Sequence, residues 1–172
     1  MTEQSENIET EQAEEKKLEN LVQFLSFTLG NEEYGVDILS VQEIRSWEPV
    51  SRIPNVPSYE KGVVNLRGAI VPIVDLRDRF GLSHLPYTPL TVVVVLQSVA
   101  TEGVGKVMGV VVDSVSDVVD VDKKTIQSAP DFGTKVSTEF INGLASVNER
   151  MVMLLDVDKL LKLEKLEDED ES

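Results

Sequence analysis

Cysteine is absent from this 172-residue chain, histidine occurs once, at position 84, and tryptophan once, at position 47. Without cysteine there are no structural disulfides, thiolate metal sites or cysteine nucleophiles. With His84 alone there is no multi-histidine metal cluster and no two-histidine motif. Basic residues are scarce too, 16 Lys plus Arg against 31 Asp plus Glu. The resulting formal net charge of −15 disfavours nucleic acid as a main partner, because phosphate binding rests on neutralisation by Lys and Arg. Long hydrophobic runs are missing: the longest, Val92 to Leu96 and the glycine-containing Val107 to Val112, fall far below the roughly 18 residues that span a bilayer. Met1 to Asn20 is rich in glutamate and lacks the basic start and apolar stretch of a secretory signal. These absences lead to the expectation of a cytoplasmic chain with no direct membrane insertion.

The charge is unevenly placed. Residues 1–19 carry a net −5 and residues 164–172 another −5, leaving −5 for the 144 residues between them. Like-charge blocks without sustained apolar periodicity read as disordered acidic tails. One folded unit is therefore expected over residues 20–163.

Within that unit the patterning is mainly β. Leu21 to Leu29, Tyr34 to Val41, Gln42 to Trp47, Val63 to Leu66 and Ile70 to Val74 read as strands, as do Thr91 to Leu96, Lys106 to Val112, Ser114 to Val121, Gly143 to Val147 and Met151 to Leu155. Arg67-Gly68-Ala69 has the form of a short hairpin loop. Asp75 is placed to cap a short helix that stops at Gly81, and a closing helix is expected near residues 156–163.

The chain also repeats itself. At an offset of 81 residues Gly62 falls on Gly143, Ile73 on Leu154 and Asp75 on Asp156; at an offset of 74, Gly35-Val36 falls on Gly109-Val110 and Val41 on Val115. Each copy has about five short strands, which must bury one face and hide their edges, so two small closed barrels are expected, with a lobe boundary near residues 82–90. Two barrels packed together leave a groove at their junction, a preferred place for a binding site.

No reaction is legible. His84 lies in Ser83-His84-Leu85-Pro86 without neighbouring acids to orient it as a base. Asp113, Asp117, Asp120 and Asp122 lack the glycine and closing glutamate of a calcium loop. Gly103-Val104-Gly105-Lys106 lacks the spacing of a phosphate-binding loop. No catalytic, cofactor or metal site is expected. Three residues remain as binding candidates. Arg67 at the hairpin tip is either an ordinary loop arginine or a bidentate contact for a carboxylate or carbonyls. Trp47 is a core plug or an interface anchor, and Phe132, in Pro130-Asp131-Phe132-Gly133, is an exposed anchor or packs on its own barrel.

Four stretches together resemble the CheW-like domain family of bacterial chemotaxis. They are Val41-Gln42-Glu43-Ile44-Arg45, the run from Gly62 through Asn65-Leu66-Arg67-Gly68 and Pro72-Ile73-Val74-Asp75 to Arg77, the run Val110 to Val118, and Gly143 to Leu161. The resemblance covers residues 20–163. It implies two SH3-like barrels and a non-enzymatic adaptor that couples the cytoplasmic tips of chemoreceptors to the regulatory domain of the histidine kinase CheA, in arrays at the inner face of the membrane. The alternative within the same family is a scaffold serving a non-chemotaxis chemosensory pathway. Carried onto matching positions, the resemblance assigns Val41, Gly62, Arg67, Val115 and Val118 to receptor binding and Glu43 and Phe132 to kinase binding. The stretch Gln97 to Gly105 looks longer than in short members of the family.

Overall fold

A computed structural model describes residues 2–98, 106–128 and 138–161, the side chains of 2–5, 16–19 and 138 excepted. The chain is mainly β. Its strands are β1 (Leu21–Leu29), β2 (Glu32–Asp37), β3 (Val41–Ser46), β4 (Glu60–Leu66), β5 (Ala69–Asp75), β6 (Val92–Gln97), β7 (Val107–Val112), β8 (Ser114–Asp122), β9 (Ile141–Val147) and β10 (Arg150–Leu155). Helices are α1 (Thr2–Asn20), α2 (Leu76–Arg79) and α3 (157–161). The strands form two five-stranded sheets, ordered β8-β1-β2-β10-β9 and β3-β6-β7-β5-β4, each rolled into an SH3-like barrel.

This topology corrects the lobe boundary expected near residues 82–90. Barrel 2 is the continuous segment β3 to β7, whereas barrel 1 joins β1 and β2 to β8, β9 and β10. The two repeats have exchanged their last three strands. The reason lies in two connections. Only Asp113 separates β7 from β8, too short for the two-residue loop of a hairpin. Between β2 and β3, Ile38–Ser40 forms a 3-10 turn with no residue at positive φ, so β3 cannot fold back on β2 either. At both points the chain runs straight on into the other barrel.

Exchange leaves the repeat visible in detail. The parallel pair Leu154↔Gly35 in barrel 1 matches Ile73↔Gly109 in barrel 2. Bulges recur at equivalent places, at Gln42 and Ser116, and at Lys61 and Asn142. Asp75 accepts hydrogen bonds from the backbone N–H of Arg77 and Asp78 at the start of α2, and Asp156 accepts one from Lys159 N–H at the start of α3. The closing helix is thus present over 157–161; residues 162–172, with the acidic C-terminal stretch, lie outside the described residues.

Three cores hold the molecule together. Leu66, Val71, Ile73, Val93, Val95 and Val111 fill barrel 2, and Phe24, Val121, Ala145, Val152 and Leu154 fill barrel 1. The largest lies between them and takes residues from both, including Phe27, Tyr34, Phe80, Val94, Val110 and Leu160. Strand β6 explains its own uninterrupted apolar run: Val93 and Val95 face the inside of barrel 2, Val94 and Leu96 the shared core.

Two glycines close the barrels. The backbone after β3 bridges β4 at Ser51↔Val63, and the backbone after β8 bridges β9 at Gln127↔Leu144. A Cβ at Gly62 would lie 2.1 Å from Ser51 O, and one at Gly143 would lie 2.6 Å from Ile126 Cγ2 and 3.0 Å from Gln127 O. Gly62 also sits at φ +148°. Gly62→Ala should therefore cost about 2–3 kcal/mol, from overpacking added to backbone strain, in urea unfolding. Gly68→Ala, at φ +87° but facing open space, should cost only about 1 kcal/mol.

The N-terminal stretch differs from the disorder expected for residues 1–19, since Thr2–Asn20 forms one helix, α1, and residues 6–15 are exposed along it. Glutamate, glutamine, alanine, lysine and leucine are strong helix formers, and that propensity outweighs the lack of an apolar face. No helix among the described residues is long and apolar enough to cross a membrane.

Candidate partner-binding surfaces

The two points where the chain passes between barrels organise the candidate surface. Val41 opens β3 immediately after the first passage, and Val115 is the second residue of β8 after the other. Both are half-buried and pack on the shared core, and each is followed by a bulge. An extra residue at a bulge resets the alternation of side chains, so the residues beyond it are re-aimed. On β8 this leaves Val118 exposed at 43%, and on β3 its repeat equivalent Ile44 exposed at 44%. Leu39, in the 3-10 turn that leads into β3, is exposed at 68%. The structure thus brings Val41 and Val115 to one core and places Val118 on the outer part of β8. Ile44 and Leu39 were missed in the sequence; the signal for Ile44 was its alignment with Val118.

The remaining expected residues lie elsewhere. Glu43 is half-buried in β3, opposite Val95. Arg67 is exposed at the tip of the β4–β5 hairpin in barrel 2. With φ +54° at Arg67 and +87° at Gly68, both loop residues are in the left-handed region of a two-residue hairpin turn. A non-glycine side chain held there costs of order 1 kcal/mol, and Asn would sit there more easily than Arg. Beside it Ile70 is exposed at 73%; its repeat equivalent on barrel 1 is Met151, exposed at 57%. Gly62 is buried, carries no side chain and closes barrel 2. Phe132 lies outside the described residues, as do 99–105 of the connection between β6 and β7. Trp47 is half-buried against the core of barrel 2, its ring centroid 4.5 Å from that of Tyr87.

The aspartates each have a local task. Asp117 accepts a hydrogen bond from Val118 N–H, Asp120 from the Gln23 amide and Asp122 from Lys124 N–H. Asp113, at the second passage, is a clamp between the barrels. It accepts from Arg77 Nε at 3.2 Å and Arg77 Nη2 at 2.6 Å, and from the backbone N–H of Gly30, in the β1–β2 turn of barrel 1, at 2.8 Å. Arg77 also donates to Ser83 O at 2.8 Å. Burial pushes the Asp113 carboxyl up, but the bonds from Arg77 and Gly30 and the charge of Arg77 outweigh it and hold the group below the usual carboxylate value. A carboxylate depressed in the folded state stabilises fully above its unfolded value of about 3.9 and loses that contribution as the pH falls through the lower folded value. The stability difference between the chain and Asp113→Asn, measured by urea unfolding, should therefore shrink as the pH is lowered from about 6 to about 3.

Two rigidly joined SH3-like barrels, with exposed aliphatic side chains beside the passages and an arginine held at a strained hairpin tip, define a protein-binding scaffold. The model of the CheW-like domain matches residues 23–165, and the chain belongs to that family. It is 49% identical over 144 residues to the chemotaxis protein CheW of Klebsiella aerogenes, covering 84% of each chain. It is 36% identical over 138 residues to a probable chemotaxis protein CheW of Rhizobium etli, covering 80% of this chain and 86% of that one. Among solved structures it resembles the scaffolding protein TtCheW of Thermoanaerobacter tengcongensis, with a TM-score of 0.71 and 29% identity over 79% of this chain and 84% of that one. The chain is a chemotaxis scaffold of the CheW type.

Proposed function

We propose that the chain is a non-enzymatic adaptor that places CheA, the chemotaxis histidine kinase, under the control of transmembrane chemoreceptors, working in the cytoplasm at receptor arrays on the inner face of the membrane. Its membership of the CheW-like domain family carries this reading. Val41, Val115 and Val118 receive apolar side chains of the receptor tip, whose burial supplies most of the affinity. Arg67 fixes the register of that contact through charge-assisted hydrogen bonds, and Glu43 belongs to the kinase-facing surface. The strained backbone at Arg67 supports its part, because a tip with no task beyond turning the chain is met more cheaply by Asn-Gly.

The mechanism is mechanical. The shared core and the Arg77–Asp113–Gly30 clamp make the two barrels one rigid body, so a receptor's geometry reaches the kinase without being absorbed in between. Each contact stays weak and exchangeable, and repetition in an array supplies the strength. The receptor then shifts the kinase's conformational balance through differential contacts. Arg67→Ala, which keeps a Cβ at the same positive φ and so leaves the turn's strain as it is, should fold normally and retain kinase in a pull-down while losing at least about tenfold in receptor-fragment affinity. Unchanged receptor affinity in the folded variant would remove Arg67 from the assignment.

A further inference from the structure

Barrel 2 also carries a cleft of about 320 Å³ formed by the connection from β3 to β4 and the loop after α2. Trp47, Pro49, Val50 and Tyr87 form its apolar part, and Arg52, Lys61 and His84 complete its lining. Trp47, Val50 and Tyr87 pack on the core of barrel 2, not on the core shared at the passages. The cleft therefore lies away from the shared core on which Val41 and Val115 pack.

Its walls are built. The rings of Trp47 and Tyr87 meet at 4.5 Å and 56°, and that of His84 stands edge-on to Tyr87 at 6.2 Å. The Tyr87 hydroxyl donates at 2.7 Å to Asp75 Oδ2, and Asp75 is itself fixed as the cap of α2. Lys61 is held at one side by Ser58 O at 2.9 Å and by Asp78 at 3.7 Å. Arg52 and His84 are exposed, as are their chain neighbours Ile53 and Leu85.

The charge pattern identifies the occupant. In a chain with nearly twice as many acids as bases, Arg52, Lys61 and His84 line this cleft and no carboxylate does, although Lys61 is paired with Asp78 and Tyr87 with Asp75. A net charge of −15 repels small free anions at long range, yet at physiological salt screening acts within roughly 8 Å, so the local cluster governs what touches the cleft. A ligand that adds apolar burial to negative charge is therefore favoured over a free anion. The volume is at the lower end for a ligand pocket and suits a side chain or two of a peptide.

We infer that the Trp47–Tyr87 cleft is a further docking site, taking an acidic segment of a partner protein with an apolar side chain seated against Trp47 and Tyr87 and its carboxylates on Arg52 and Lys61. Trp47 is the only tryptophan in the chain, so its emission reports directly on occupancy. The test titrates the full chain with a synthetic peptide of alternating Glu and Leu, and with its Gln-for-Glu counterpart. A saturable change in Trp47 emission is expected with the Glu peptide, weakened at least tenfold with the Gln peptide. Arg52→Glu, on an exposed side chain, should weaken the Glu peptide by at least tenfold, and Lys61→Gln should act in the same direction. Equal responses to the two peptides, no response, or full affinity in Arg52→Glu would overturn the inference. So would an equal response to inorganic phosphate, which marks a free-anion site. Peptide binding that appears only after deletion of residues 1–19 and 164–172 would overturn it as well, making the chain's own acidic ends the occupant.

Discussion

Phe80→Ala should lower the free energy of unfolding by about 3–5 kcal/mol, the range for removing a large aromatic from a packed core, and leave one cooperative transition. Phe80 is buried directly after α2, at the end of barrel 2. Its ring centroid is 5.9 Å from that of Tyr34 in β2 and 6.0 Å from that of Phe140, which precedes β9. Both neighbours belong to barrel 1. The substitution therefore opens a cavity between the barrels rather than inside either. Because the largest core takes residues from both barrels, loss of either barrel exposes the apolar residues that the other contributes to it. Trp47 fluorescence, which reports on barrel 2, and far-ultraviolet circular dichroism, which reports on both, should give the same urea midpoint in the chain and in the variant. Separate midpoints would contradict the shared core as the element that joins the barrels.

Val118→Asp should cost receptor-fragment affinity about 30-fold or more, equivalent to about 2 kcal/mol, with kinase affinity held within about twofold. Val118 is exposed on β8 and absent from the three packed cores, so a carboxylate there meets water in the free protein. In a complex that buries it against an apolar side chain the same carboxylate is desolvated without a partner. Isothermal titration against the two partners separately, with a thermal midpoint to verify the fold, measures the effect. Val115→Asp is the poorer test, since Val115 packs on the shared core and its loss disturbs the fold as well.

The strands were legible because β-branched runs, turn residues and Asp caps agree along the chain, and the repeat was legible at two offsets. Which copy supplies which strand was not. Gly35 and Gly109 present equivalent partners to β5 and β10, so pattern alone permits either pairing. The decision rests on Asp113 being a single residue between β7 and β8, which the strand ends read from the sequence already imply but which the repeat, taken alone, does not reveal. Gly62 was read for its place in a motif, whereas its physical reason is a backbone approach from Ser51, which bridges β4 at Val63. Ile44 was hidden because a bulge at Gln42 breaks the alternation by which an exposed apolar position is recognised, and Leu39 because it lies in a 3-10 turn that has no alternation. The charge count ranked α1 as disordered because acidity and the missing apolar face were weighed above helix propensity.

Reconstitution tests the central claim most directly. Purified CheA and a chemoreceptor cytoplasmic fragment are assayed for kinase autophosphorylation with and without the chain, and with Val118→Asp in its place. Kinase activity is predicted to respond to the receptor fragment only when the chain is present, and to lose that response with Val118→Asp although the variant still binds kinase. Receptor-dependent activity of equal size without the chain would contradict the account.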